Sequence, residues 1–281
     1  MLLMPAAKLY VVATPIGNLD DISARAVEVL GKVDVIAAED TRRTLKLLNR
    51  YGLDRPLSSL HEHNEEQQAP RLVGKLLKGV SIALVSDAGT PLISDPGFRL
   101  VKLALESGIE VVPIPGPSAI TAALSVSGLP TDRFTFEGFL PARTAARIKR
   151  LEQLKNESGT MVFFESGHRI RNCLEDMLNI FGPDRPVALC RELTKRFETV
   201  LRGDLERIGR KLEEDPDQSK GEFVLVVSGR TGQSEDQMPE AEKLARELRD
   251  YLGTSQAARV AARIHGVSRR ELYRRLEIES G

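Results

Sequence analysis

Between residues 85 and 97 the chain reads Val85-Ser86-Asp87-Ala88-Gly89-Thr90-Pro91-Leu92-Ile93-Ser94-Asp95-Pro96-Gly97. The apolar run before it, residues 81–85, predicts a buried parallel strand, and residues 98–105 after it have the apolar spacing of a helix. Loops at the carboxyl ends of such strands bind ligands in open α/β sheets. We therefore expect a binding loop in which Asp87 accepts hydrogen bonds and Asp95 caps the next helix. The alternative is a rigid structural turn.

Strands and helices alternate through the first 120 residues, which indicates a parallel sheet covered by helices. Its predicted strands are 9–13, 33–38, 57–60, 81–85 and 110–114. The pattern changes after Gly128-Leu129-Pro130, where five further strands predict a second α/β domain with some antiparallel pairing. These strands are 134–140, 160–164, 186–190, 199–203 and 222–227. We expect domains at 1–117, 118–232 and 233–281, with a polar linker over 229–239.

The last part of the chain is predicted to be helical and locally basic. A helix, a short turn containing Gly266 and a basic helix capped by Ser268 resemble a helix-turn-helix. Lys plus Arg and Asp plus Glu both number 40, yet 259–275 holds six arginines and one acidic residue. This local excess predicts nucleic-acid binding, and the alternative is a solvated helical face.

The cysteine content and the N-terminus indicate where the protein works. Cys173 and Cys190 are too few for a disulfide framework, and each falls in an apolar pattern typical of an inert packing residue. The apolar residues 1–5 are too short for a signal or membrane helix. We therefore expect a cytoplasmic protein with no membrane contact.

Three loops of the first half carry proline where a phosphate-binding loop needs backbone N–H donors. They are Thr14-Pro15-Ile16-Gly17, Gly89-Thr90-Pro91 and Pro115-Gly116-Pro117. Proline has no N–H group, and neither common phosphate-loop fingerprint occurs. The loops therefore predict a ligand with hydroxyls, an amine or a positive centre rather than a polyphosphate. S-adenosylmethionine has a ribose, an ammonium group and a sulfonium, and fits this description.

Other motifs bear on catalysis and metal binding. His61-Glu62-His63 lacks the spacing of a zinc site, so no metal is predicted. Several charged residues follow predicted strand ends in the second half and would line a cleft between the domains if both sheets present their carboxyl ends to it. They are Glu165, Arg169, Arg191, Glu192 and Lys195. The alternative is that they form surface salt bridges.

Six motifs together resemble the ribosomal RNA small subunit methyltransferase I family, within the tetrapyrrole methylase-like superfamily. They are Leu-Tyr-Val-Val-Ala-Thr-Pro-Ile-Gly-Asn-Leu from Leu9, Ala-Ala-Glu-Asp-Thr-Arg from Ala37, Ser-Asp-Ala-Gly-Thr-Pro from Ser86, Pro-Gly-Pro-Ser-Ala from Pro115, Glu-Gly-Phe-Leu-Pro from Glu137 and Arg-Glu-Leu-Thr-Lys from Arg191. The resemblance spans essentially the whole chain, including its arginine-rich end.

The resemblance implies an S-adenosylmethionine-dependent enzyme that methylates the ribose 2′-hydroxyl of a cytidine in 16S rRNA. It also implies a homodimer and two α/β domains of the tetrapyrrole methylase type, with a parallel N-terminal sheet, a mixed C-terminal sheet and the cofactor between them. A small helical, helix-turn-helix-like region follows them. The cofactor positions carried over by the resemblance are Pro15, Ile16, Gly17, Asp87, Ala88, Gly89, Thr90, Ser118 and Ala119.

Two loops depart from the corrin and porphyrin branch of that superfamily. Its first loop is of a Gly-x-Gly-Pro-Gly-Asp type and its second is Gly-Asp-Pro. Here Thr-Pro-Ile-Gly-Asn from Thr14 and Asp-Ala-Gly-Thr-Pro from Asp87 stand instead, which argues against a tetrapyrrole substrate. Two alternatives remain: a small-molecule methyltransferase of the corrin or porphyrin type, and a non-enzymatic nucleic-acid-binding regulator.

Methyl transfer to a ribose hydroxyl requires loss of the hydroxyl proton. His63, Glu39 and Glu165 are candidate bases because each lies on a predicted strand-end loop. Candidates for contact with RNA phosphates are basic residues near the strand ends and in the last helix. They are Arg42, Arg43, Arg169, Arg191, Lys195, Arg269, Arg270 and Arg274.

Overall fold

The computed structural model describes residues 7–230 and 237–278, and its first half is built around a five-stranded sheet. The strands are Lys8–Val12 (β1), Val35–Ala38 (β2), Leu57–Ser59 (β3), Ile82–Val85 (β4) and Glu110–Ile114 (β5). Their order is β3-β2-β4-β1-β5, and every neighbouring pair is parallel. The predicted parallel N-terminal sheet is therefore confirmed.

Helices cover both faces of this sheet. They are Ala24–Lys32 (α1), Thr41–Arg50 (α2), Glu65–Leu76 (α3) and Phe98–Glu106 (α4). Leu72 of α3 and Leu100 of α4 pack with Leu9 and Leu84 on one face, while Leu30 of α1 packs with the other. All four residues of β4 are buried, as expected for a central parallel strand. Because β1 is parallel to both β4 and β5, the carboxyl ends of these three strands lie at the same edge of the sheet.

A second sheet of mixed direction forms after helix Ala119–Ser127 (α5), which confirms the predicted antiparallel pairing. Its strands are Phe134–Phe139 (β6), Thr160–Ser166 (β7), Pro186–Arg191 (β8), Thr199–Asp204 (β9) and Glu222–Val227 (β10). The order is β6-β7-β10-β8-β9; β6 and β7 are parallel and the other neighbours antiparallel. Because β10 opposes both β7 and β8, its first residues lie beside their carboxyl ends.

Helices cover this sheet unequally. Thr144–Leu154 (α6), Ile170–Phe181 (α7) and Leu205–Glu214 (α8) pack on one face, and α5 packs on the other. Cys173 and Cys190 are buried, as predicted, and burial raises the pKa of their thiols to about 12 and about 11. Both thiols are therefore protonated at neutral pH and unreactive.

Three C-terminal helices form a separate small core. They are Met238–Arg249 (α9), Thr254–His265 (α10) and Arg269–Ile278 (α11). Buried alanines, including Ala245 and Ala261, let the helices approach closely. Gly266 ends α10 in the left-handed conformation at φ 66°, as the predicted helix-turn-helix-like region requires.

The predicted domain boundaries stay predictions. Residues 231–236 of the predicted linker, and with them the boundary at 232, lie outside the described residues, as do residues 1–6. Over the ranges 7–230 and 237–278, the helices are too short or too polar to span a membrane.

Candidate active site

Three loops at the edge of the first sheet are joined by backbone hydrogen bonds. The N–H of Thr14 donates to the Gly89 carbonyl at 2.8 Å, and the N–H of Gly89 donates back to Thr14 at 3.0 Å. The buried Thr14 hydroxyl donates to the Ser86 carbonyl at 3.1 Å, and the Thr90 hydroxyl donates to the Pro117 carbonyl at 3.2 Å. Loops 14–18, 86–97 and 115–119 therefore form one surface, here called the first wall.

Gly89 has to be a glycine in this arrangement. Its φ is +81°, and a Cβ atom there would lie 3.3 Å from Cγ2 of Ile16. Side chains rarely adopt this backbone conformation, so any other residue would strain the loop. The absence of a side chain also lets the first loop approach the second.

Asp87 links the ends of β2 and β4. Its Oδ1 accepts from the backbone N–H of Asp40 at 2.9 Å, and its Oδ2 lies 3.2 Å from Nη1 of Arg43. The Asp87 N–H in turn donates to Oε2 of Glu39 at 3.2 Å. Burial raises the pKa of Glu39, and this N–H group opposes the shift. The predicted hydrogen-bond acceptor therefore already holds two loops together.

Asp95 does not cap helix α4, so the expectation of a helix cap was wrong. Gly97 takes the N-cap position, and Oε1 of Glu65 accepts from the N–H groups of Gly97 at 3.1 Å and Arg99 at 2.8 Å. The side chain of Glu65 reaches this position from α3, whose packing against α4 the sequence pattern does not reveal. Asp95 lines the pocket instead.

Burial raises the pKa of Asp95 to about 6. The carboxylates of Glu39 and Asp87 add to this rise because like charges disfavour ionisation, and the Ser86 hydroxyl opposes it. Asp95 thus binds a proton more readily than an ordinary aspartate does.

The edge of the second sheet faces the first wall with ion-paired side chains. Nζ of Lys195 lies 2.9 Å from Oε1 of Glu192 and 2.6 Å from Oε2 of Glu222. The fully buried Glu165 carboxylate accepts from the N–H of Ser166 at 2.8 Å and lies 3.2 Å from Nη2 of Arg169. Glu165, Glu192, Lys195 and Glu222 are called the second wall below.

Aromatic and aliphatic side chains supply the apolar part of the pocket. Phe139 and Phe164 meet edge to face with ring centroids 5.6 Å apart. Phe139 is 55% exposed at the pocket mouth, as is Ile93 at 39%. The site therefore combines aromatic side chains with carboxylates, which suits a ligand that has both an aromatic and a cationic part.

The two walls enclose a cavity of about 350 Å³. It is lined by most of the predicted cofactor residues, namely Ile16, Asp87, Ala88, Gly89, Thr90, Ser118 and Ala119. Ser118 begins α5 but its hydroxyl makes no capping bond. Glu39, Glu165, Arg43 and Lys195 also line the cavity.

Several predicted residues lie outside this lining. Pro15 and Gly17 are not part of it, and Gly17 packs closely against Leu193–Lys195. His63 is also outside, with its ring 6.0 Å from that of His61.

Three predicted arginines have partners within the protein. Arg42 pairs with Asp40 and lowers the pKa of that carboxyl to about 2. Arg191 donates to the carbonyls of Lys220 at 2.6 Å and Phe197 at 3.2 Å, and Arg169 pairs with Glu165.

Sequence reasoning missed Asp95, Phe139, Phe164 and Glu222 as pocket residues. No sequence pattern marks Glu222 as a site residue, because it lies at the start of a strand. It reaches the pocket only because β10 runs antiparallel to β7 and β8. The loops at the pocket also hold all four non-glycine residues with positive φ in the described ranges. These are Leu92, Ser94, Glu192 and Thr194. Such strain commonly accompanies functional loops.

Comparison with known proteins identifies the class to which this fold and pocket belong. Residues 8–209 match the family model of Tetrapyrrole (Corrin/Porphyrin) Methylases, and residues 235–278 match that of the RsmI C-terminal HTH domain. The solved structure of the methyltransferase CobJ has the same fold, with a TM-score of 0.59 at 19% identity, covering 80% of this chain and 97% of CobJ. The chain is thus a methyltransferase of the tetrapyrrole methylase class.

Closer relatives identify the family. Ribosomal RNA small subunit methyltransferase I of Xylella fastidiosa is 52% identical over 94% of this chain and 97% of its own length. The protein of that name from Escherichia coli O157:H7 is 49% identical over 95% and 93%. The chain belongs to the ribosomal RNA small subunit methyltransferase I family. The predicted family and an S-adenosylmethionine-dependent enzyme are confirmed, and the non-enzymatic alternative was wrong.

Proposed function

We propose that this chain transfers the methyl group of S-adenosylmethionine to the ribose 2′-hydroxyl of a cytidine in 16S rRNA. The observation that carries the proposal is the near-full-length identity, about half of all positions, to proteins named for methylation of small-subunit rRNA. The corrin-type alternative has less support, since its solved representatives are related at the level of fold. The 2′-hydroxyl and the cytidine are taken from the motif resemblance.

The cavity residues fit S-adenosylmethionine, which supplies a methyl group on a positively charged sulfur. The carboxylates of Asp87 in the first wall and of Glu39 beside it place negative charge at the cavity, which favours a cation. The cavity volume of about 350 Å³ lies in the range of small-molecule sites. We propose that the three loops hold this molecule through Pro15, Ile16, Gly17, Asp87, Ala88, Gly89, Thr90, Ser118 and Ala119.

Basic side chains near the pocket and in the C-terminal helices support RNA as the substrate. Arg42, Arg43 and Lys195 are proposed phosphate contacts beside the pocket, whereas Arg169 and Arg191 hold loops in place. The six arginines of 259–275, which include Arg269, Arg270 and Arg274, are all exposed. Arg274 and Arg275 pair with Glu271. Arg269, Arg270 and Arg274, together with Arg259 and Arg263, are proposed to contact the RNA backbone.

A homodimer in the cytoplasm is part of the proposal. Leu77, Phe98 and Leu105 are 63%, 68% and 58% exposed, and α3 and α4 pack side by side. We propose that these exposed apolar side chains belong to the dimer interface, because exposed apolar surface commonly marks protein interfaces. Sedimentation of the full chain tests the point, and a monomer at micromolar concentration would contradict it.

The substrate assay uses labelled S-adenosylmethionine with three acceptors: small ribosomal subunits, free 16S rRNA and a tetrapyrrole precursor. We expect label in the RNA, recovered as 2′-O-methylcytidine after digestion to nucleosides. An RNA with 2′-deoxyribose at the target should accept no methyl group. Label on the base, or in the tetrapyrrole alone, would contradict the proposal.

Replacement of Arg259, Arg263 and Arg270 by alanine should weaken rRNA binding without changing S-adenosylmethionine affinity. Each lost phosphate contact reduces affinity and lowers the salt dependence of binding. Binding should therefore fall about tenfold or more at low salt, and the slope of its logarithm against log salt should become shallower. The matched control replaces the exposed Arg25, Lys75 and Lys149 by alanine. Equal losses in the two variants would show that only overall charge matters.

A further inference from the structure

Six carboxyl groups line the cavity between the two walls, and the reaction needs one acceptor for the hydroxyl proton. They are Glu39, Asp87, Asp95, Glu165, Glu192 and Glu222. A carboxylate that already accepts bonds from N–H groups or pairs with a cation is a weaker base, because its charged form is stabilised. The partners of each group therefore distinguish the candidates.

Five of the six are bonded to a backbone N–H group or to a cation. The pairs are Asp87 with Asp40 and Arg43, Glu165 with Ser166 and Arg169, Glu192 and Glu222 with Lys195, and Glu39 with the Asp87 N–H. The charges of these five carboxylates are therefore stabilised by groups of the protein itself.

Asp95 differs from the other five. Within residues 7–230 and 237–278, no backbone N–H group and no cation bonds to its carboxylate, and the nearby Ser86 hydroxyl is the one group that favours its charged form. The capping role that would have engaged it is filled by Glu65. Asp95 is half-buried, and it is one of the residues that line the cavity.

We propose that Asp95 is the general base of methyl transfer. The inference rests on the proposed function, in which a ribose hydroxyl is the acceptor. The ribose oxygen forms the new O–CH3 bond as the carbon–sulfur bond of the donor breaks, and the electron pair of that bond stays on sulfur. The Asp95 carboxylate takes the hydroxyl proton and later releases it to water.

The charges around Asp95 suit this role. Glu39 at the end of β2 and Asp87 on its own loop raise its proton affinity, while Arg43 on α2 is bonded to Asp87. Behind the loop, Glu65 caps α4 and Glu66 pairs with Arg99. Across the cavity, Lys195 lies between Glu192 and Glu222, and Glu165 is paired with Arg169. Burial adds to these effects and brings the pKa to about 6. Such a group is ionised at neutral pH and is a stronger base than an ordinary aspartate.

The test compares the full-length wild type with Asp95→Asn, Asp95→Glu and the control Asp132→Asn, whose side chain is exposed and outside the cavity. Single-turnover methyl transfer to small ribosomal subunits is followed from pH 5 to pH 9, and S-adenosylmethionine affinity is measured by calorimetry. We expect the wild-type and Asp132→Asn rates to rise to a plateau above about pH 6, because the Asp95 carboxyl, with a pKa of about 6, must be ionised to accept the proton. Asp95→Asn should be slower by about 100-fold or more, which is the usual contribution of a general base. It should also lose the inflection and keep its donor affinity.

The remaining outcomes separate the possible explanations. Asp95→Glu should keep part of the rate and an inflection, since a carboxylate is retained. An Asp95→Asn rate within threefold of wild type, or an unchanged pH profile, would overturn the assignment. A loss of donor affinity that accounts for the whole rate loss would instead make Asp95 a binding residue. Wild-type protein that methylates no RNA would overturn the proposed function and this inference together, whereas the other contrary results overturn only the base.

Discussion

The two walls of the pocket are built with different chemistry. In the first wall, backbone groups of Thr14 and Gly89 bond to each other, and the buried Thr14 hydroxyl binds the Ser86 carbonyl. In the second wall, the Glu192 N–H donates to the Glu222 carbonyl at 2.9 Å, and Lys195 adds salt bridges to the carboxylates of both residues. Side-chain charges therefore contribute more to the second wall than to the first, where backbone bonds join the loops.

Under the proposed function, we expect the first wall to bind the methyl donor and the second wall to lie beside the RNA. A small donor molecule is the same in every turnover, so a surface made of backbone bonds can be complementary to it in advance. An RNA strand is long and charged, and side-chain ion pairs can exchange partners with its phosphates. We therefore expect substitutions in the first wall to change the fit between the loops. We expect substitutions in the second wall to have effects that depend on salt concentration.

The largest effect is expected where the two walls meet. A Cβ atom at Gly17 would lie 2.5 Å from Cγ of Lys195 and 2.9 Å from the Leu193 carbonyl oxygen. Gly17→Ala should therefore lower the free energy of unfolding by about 1–3 kcal/mol, the usual cost of overpacking, and weaken donor binding. Urea unfolding and calorimetry measure the two effects.

Gly74→Ala on α3 is the matched control, because a Cβ atom there meets open space. It should be neutral or slightly stabilising, because alanine has a higher helix propensity than glycine. A Gly17→Ala variant as stable as Gly74→Ala would show that the walls are not rigidly joined at this point.

Asp95→Asn tests the stability cost of the one carboxylate of the first wall without N–H or cationic partners. Because the folded-state pKa of about 6 exceeds the ordinary 3.8, ionised Asp95 destabilises the native state at high pH. Above pH 6 the variant should be more stable by about 1–2 kcal/mol, a value reduced for solvent screening of a partly exposed group. The gain should disappear as the pH falls from 6 to 3.8. Urea unfolding from pH 3.5 to pH 8 measures it, and a gain independent of pH would contradict the charge explanation.

Lys195→Met should have the smallest effect on stability and the clearest dependence on salt. It removes one cation from two carboxylates on a side chain that is 28% exposed. We expect a loss of about 0.5–1 kcal/mol at low salt that shrinks in 1 M NaCl, as screened ion pairs do. Lys32→Met, which breaks the solvent-exposed pair with Glu28, is the control and should change little. A loss that persists in high salt would show that Lys195 acts by packing.

The loops of the first wall could be predicted because their signals are local. The strand before Ser86, the helix after Gly97 and the prolines between them lie within one short stretch of chain. The helix-turn-helix-like end was predictable for the same reason, from apolar spacing and Gly266. The motif resemblance then named the family and the cofactor.

The role of each charged side chain in the pocket could not be predicted in this way. Asp95 was expected to cap α4, but Glu65, 30 residues earlier in the chain, caps it instead. Arg169 and Arg191 follow strand ends as expected, yet their guanidinium groups bind Glu165 and backbone carbonyls. Each outcome depends on which helix or strand packs alongside, and periodicity carries no information about that.

The amino-acid sequence by itself determined the order of strands and helices, the two sheets and the loops that form the first wall. Hydrophobic periodicity and turn chemistry act over a few residues, so they can be recognised in one dimension. Only the tertiary structure decided that Glu222 reaches the pocket through an antiparallel strand and that Asp95 keeps a carboxylate free of cations. Burial and ion pairing depend on groups that are distant in sequence, and these long-range contacts set the protonation of the site.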